Sequence, residues 1–136
     1  MMQKVVTTLY WTMRLAAAVI LLQTLFFKFS ASDESVYIFT TVGMEPWGRI
    51  GVGVSEAIAA VLLVVPFTAW VGAGVALGLM LGAIAMHLTI LGIVVMDDGG
   101  YLFYLAMIVA GCCVYVLYHD RMKIRSTYTA IRRMVS

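Results

Sequence analysis

Charge is what this chain has little of. Of its 136 residues only 12% are Asp, Glu, Lys or Arg, whereas 63% are hydrophobic. A soluble domain of this length carries about a quarter charged residues, so this chain cannot coat itself with a water-facing surface. The net charge is only +2. Without a broad basic face, nucleic-acid binding is excluded as a function class. Cysteine is scarce too: Cys112 and Cys113 are the only two. Adjacent residues on a helix point about 100° apart and are poorly placed to bridge. A disulfide framework is excluded, and the pair reads as small buried packing residues. No internal repeat or low-complexity segment is present.

What remains is hydrocarbon-compatible sequence, and the bilayer is the expected solvent and first partner. Four charge-poor segments divide the chain: about Val5 to Phe27, Trp47 to Val65, Ala69 to Met96, and Tyr101 to Tyr118. At 1.5 Å per residue each spans, or nearly spans, a hydrocarbon core of ~30 Å. Their apolar runs are continuous rather than alternating, which favours helices over barrel strands. Pro66 ends the second segment, and Thr68 is placed to cap the third. The expected fold is an all-α membrane protein. Residues 1–120 would form an antiparallel bundle of four transmembrane helices, followed by a basic cytoplasmic tail, 121–136.

Arg121, Lys123, Arg125, Arg132 and Arg133 crowd the tail, and Lys4 lies near the start. The connection after the third segment holds Asp97 and Asp98 and no base; loop 28–49 is mixed. By the positive-inside rule both termini are cytoplasmic, and loops 28–49 and 96–100 face outward. The expected location is a bacterial inner membrane. "SAS" at 30–32 offers small residues for a signal cleavage site, but Lys28 lies close before it. The first segment is therefore read as a retained span. "SASDESVYIFTTVG" opens with Ser and acids and reaches Gly43, with Val36, Phe39 and Val42 at helical spacing. It reads as a short amphipathic outer helix. Trp47, Tyr37 and Tyr101 suit an outer aromatic belt, and Tyr10, Trp11, Trp70 and Tyr118 an inner one. The tail is expected to rest on anionic lipid heads.

Gly74, Gly78 and Gly82 form a stripe at spacing four on the third segment, and Gly51, Ser55 and Ala59 one on the second. Lipid supplies no hydrophobic drive for helix association, so these stripes are candidates for close contact. Against this background "GVGVSEAIAAVLLVVP" holds a lone acid, Glu56. Counted from Trp47 it lies ~14 Å deep, and His87, counted back from Asp97, ~15 Å deep. Arg14, Leu21 and Lys28 share one stripe of the first segment, expected to face inward, with Gln23 opposite. An unpaired charge near the midplane costs at least ~2.5–3.5 kcal/mol. Glu56 is thus expected to be protonated or paired: His87 level with it, Lys28 reaching from above, Arg14 from below. Glu56, His87, Lys28 and Arg14 form the candidate ligand pocket. A purely structural cluster that fixes helix register is the other reading.

"LLQTLFFKF" resembles the first-helix signature of DoxX-like membrane proteins, with Lys where the helix emerges; Thr24 stands where members usually carry a small residue, often Gly. "WGRIGVGVSEAIAAVLLVVP" is similar to the second-helix pattern of Arg and Gly, then Glu, then an aliphatic run ending in Pro. "GAIAMHLTIL" is similar to the third, an Ala-rich run leading to a polar residue, commonly His. The resemblance covers roughly residues 14 to 118. It implies a four-helix bundle laid out like vitamin K epoxide reductase-type bundles, with Lys28, Glu56 and His87 as its polar signature. It also implies work beside redox proteins. Some relatives are membrane subunits of thiosulfate–quinone oxidoreductases, others belong to oxidative-stress complexes, and animal relatives act in assembly or trafficking. Reductase-type thiol chemistry does not carry over, because the chain has no CxxC.

Two function classes follow. One is an accessory or anchor subunit that binds a quinone or lipid-like ligand, Glu56 and His87 serving a carbonyl oxygen and Lys28 guarding the mouth. No cofactor motif is evident in the chain, so electrons would come from a membrane or redox protein partner. The other is a non-catalytic assembly or interaction factor, including a homo-oligomer. Whether the chain is an enzyme stays open between them. A haem held by His87 and His119 is disfavoured, since their levels differ by ~12 Å. A transporter is disfavoured too, because four short spans enclose little room.

Overall fold

The computed structural model describes residues 1–136. It is all-helical: α1 (Met2–Phe29), α2 (Asp33–Thr41), α3 (Trp47–Val64), α4 (Ala69–Met86) running into a π-helical turn (His87–Leu91), α5 (Tyr101–His119) and α6 (Arg121–Val135). Four helices are long and apolar enough to cross a membrane: Met2–Phe29, Trp47–Val64, Ala69–Leu91 and Tyr101–His119. α1 packs on α3 and α5, and α4 packs on the same two, so the four enclose one core. Ala17, Ala18 and Leu21 of α1 meet Ala59, Ala60 and Leu63 of α3, Ala69, Ala73 and Ala76 of α4, and Val109, Cys113 and Val116 of α5. The many alanines let backbones approach closely, which suits association in lipid. The outward faces carry Val61, Leu81, Ile108 and Val114, all exposed. Such continuous apolar exterior requires an apolar solvent.

Several expectations are corrected. The glycine stripe of α4 is not the contact with α3: a Cβ added at Gly74, Gly78 or Gly82 meets nothing within 4 Å. The close approach is at Gly72, where a Cβ would lie 2.7 Å from the Leu63 nitrogen and 2.8 Å from the Ala59 oxygen. Spacing alone cannot tell a packed stripe from an open one. The third span stops at Leu91 rather than Met96, because Gly92 adopts φ 79°, a left-handed conformation that ends the helix. Thr68 starts α4 without capping it; its hydroxyl donates instead to the Leu62 carbonyl, 3.0 Å away. Within the basic segment 121–136, residues 121–135 are helical. α2 is capped by Ser32, whose Oγ accepts from the Ser35 N–H at 3.3 Å. Asp33 and Glu34 complement its positive end. It buries Ser35 and Phe39, with Val36 and Val42 half-buried.

Candidate functional site

A cavity of about 270 Å³ lies among α1, α2, α3, α4 and α5. Its walls are mostly aliphatic, from residues such as Leu21, Ile38, Leu79 and Leu105. Its polar groups converge from four elements: Thr24 and Lys28 of α1, Glu34 and Ser35 of α2, Glu56 of α3 and His87 after α4.

Glu56 is 2% exposed and Lys28 Nζ sits 3.1 Å from its Oε2. Thr24 Oγ1 lies 3.5 Å from the same oxygen while donating to the Leu21 carbonyl at 3.0 Å. The pair is neutral as a unit, which is the form in which two charges tolerate a dry setting. Lys28 is in turn fixed by its backbone. Arg49 donates through Nη1 to the Lys28 carbonyl and through Nε to Glu45 at 2.8 Å. Arg49 therefore ties the end of α1 to the start of α3, a role its position before the apolar run did not announce.

His87 is 5% exposed, and its Nδ1 lies 2.9 Å from the Gly92 carbonyl. A carbonyl only accepts, so Nδ1 carries the proton and Nε2 is the ring nitrogen left for another partner. Phe103 meets the imidazole edge-on at 5.7 Å. The wide π turn and the left-handed Gly92 bring this carbonyl round to the ring. No hydrogen bond links His87 to Glu56; they share the cavity. The depth count from Asp97 also fails, because the helix ends at Leu91, one turn past His87.

Arg14 is not part of this cavity, contrary to expectation. It is 1% exposed and donates from Nε to the Leu63 carbonyl at 2.7 Å and from Nη2 to Val64 at 2.9 Å. The last carbonyls of a helix have no partner within it. The end of α3 therefore captures Arg14 before it can reach Glu56. Its guanidinium lies 3.9 Å over Trp11 and 5.0 Å from the Tyr10 ring. Tyr10 donates to Asp120 Oδ2 at 2.6 Å and stacks on His119 at 3.9 Å; His119 Nδ1 is 2.9 Å from Asp120 Oδ1. Gln23 is exposed and donates to the Tyr101 hydroxyl at 3.1 Å, while Leu21 and Arg14 face inward.

At the cavity's other polar edge, Glu34 of α2 faces Asp98. Asp98 accepts backbone N–H bonds from Val95 at 3.0 Å, Gly100 at 2.8 Å and Leu102 at 3.3 Å. Burial pushes the Asp98 carboxyl up, but these donors, with Glu34, outweigh it and hold the group below its ordinary range. Glu34 is raised, by burial first and then by the neighbouring Asp98 charge and hydrogen bond. Its buried Oε1 has no donor. The sequence places Glu34 at the start of the outer helix and Asp98 in the connection after the third span, with nothing in either pattern to pair them.

No family model, curated protein or solved structure matches the chain.

Proposed function

We propose that the chain is a DoxX-like integral membrane protein of a bacterial inner membrane. In this reading its four spans form an antiparallel bundle with both termini inside and α2 on the outer side. It serves as an accessory or anchor subunit of a redox-associated complex, and its cavity receives the head group of a quinone or lipid-like molecule. The observation that carries this reading is the cavity itself: apolar walls with a neutral Lys28–Glu56 pair and the free ring nitrogen of His87. At about 270 Å³ it sits just below the usual ~300–1,000 Å³ of small-molecule pockets. That suits a head group rather than a whole lipid. Gly78 and Gly82 line it and are exposed, so a tail could leave past α4. Reduction of a quinone needs two electrons, supplied by a partner protein, and two protons, for which acid and imidazole groups are suited.

The alternative is an assembly or interaction factor in which the cluster is structural; the contact of Lys28 and Thr24 with one Glu56 oxygen favours it, since the acid finds partners without a ligand. Mass spectrometry of lipid and quinone released from purified wild type, Glu56→Gln and His87→Ala separates the two. Ligand loss in folded variants supports the pocket. Unfolding of both, or a wild type without ligand, supports the structural role.

A further inference from the structure

The cavity makes no use of the last helix. α6 buries none of its 15 residues. A helix of this length is marginal when isolated in water, so its apolar side needs a cover. Ile124, Tyr128, Ile131 and Val135 recur at spacings of three and four and form one stripe. At helical pitch Lys123 borders one edge of that apolar sector, and Arg121, Arg125 and Arg132 border the other. No Asp or Glu follows Asp120. Tyr128, Ile131 and Val135 are exposed.

The root of α6 is fixed. Asp120, 2% exposed, joins α6 to the membrane-length α5 and is held by Tyr10 of α1 at 2.6 Å and by His119 at 2.9 Å. α6 therefore starts where a helix of membrane-spanning length ends, without a linker. Bases along both edges of an apolar stripe can extend to phosphates while the stripe sinks between acyl chains. Five like charges oppose pairing with a second copy of the same helix. We propose that α6 is an in-plane amphipathic helix that seats its Ile124–Val135 stripe in the anionic lipid surface at which α5 ends.

Amide hydrogen exchange of the full chain tests this, in nanodiscs of phosphatidylcholine alone and with phosphatidylglycerol added. The amides of 121–135 are expected to exchange at least about tenfold slower in the anionic discs. Ile131→Asp, and separately Arg125→Gln with Arg132→Gln, should return them to the neutral-disc rate. Unchanged exchange across 101–119 shows that each variant is folded. Fast exchange in both lipids overturns the proposal, as does equal protection in both. Protection seen only when two chains share a disc also overturns it, pointing to a second copy instead.

Discussion

Two clusters of buried charge in this molecule use similar residue types and end differently. Around Arg14 the donors and acceptors are matched: guanidinium to the α3 carbonyls and over Trp11, Tyr10 to Asp120, Asp120 to His119. None of these residues lines the cavity. Around Lys28 and Glu56 the charges are also paired, yet the pair borders about 270 Å³ of space with His87 Nε2 unused. Buried charge by itself thus marks cost, not function. Room beside the charge, with bonding capacity left over, is what separates a site from a clasp.

The comparison can be broken most forcefully at the clasp. Arg14→Leu strips the α3 end of its donors and is expected to cost about 3 kcal/mol in unfolding measurements. Ligand content per folded molecule should stay within about twofold of wild type. A strong, selective loss of ligand would show that the clusters are one site. Lys28→Met alone strands Glu56 and is expected to cost about 3 kcal/mol, whereas the double variant Lys28→Met, Glu56→Leu should recover to within about 1 kcal/mol of wild type. Ligand should be lost from both.

The smallest effect concerns Glu34 and Asp98. Glu34 is raised above its ordinary 4.5, so its contribution is complete below that value and lost as pH climbs through the folded one. Asp98 is lowered below its ordinary 3.8, so its contribution holds above that value and is lost as pH falls through the folded one. Stability of the α2–loop contact should therefore decline from mildly acidic toward neutral pH. Glu34→Gln should flatten that decline, with a gain under about 1 kcal/mol because solvent screens the partly exposed pair. Thermal unfolding between pH 4.5 and 8 checks it.

Much of the fold was legible because hydrocarbon tolerates few arrangements: long apolar runs declared the four spans, and Ser32 with its acids declared α2. Glu56 stood out as the lone acid of its run, and the spacing of Arg14, Leu21 and Lys28 identified the inward face of α1. The rest was hidden for physical reasons. Tyr10 and Asp120 are 110 residues apart and meet only because α1 packs on α5. Arg14 was misjudged because a long side chain follows the nearest bare carbonyls, which no sequence pattern displays. Gly74, Gly78 and Gly82 share their spacing with packed stripes but face open space. The end of the third span at Leu91 was hidden because a left-handed Gly92 leaves no signature in apolar periodicity.

The most direct measurement uses Gly82, which lines the cavity and where an added Cβ meets nothing within 4 Å. Ligand released per folded molecule is compared by mass spectrometry between wild type and Gly82→Leu. The expected result is one bound small amphipathic molecule in wild type and about a tenfold loss in Gly82→Leu at unchanged unfolding temperature. Equal ligand in both, or none in wild type, would contradict the claim that this space is a binding site.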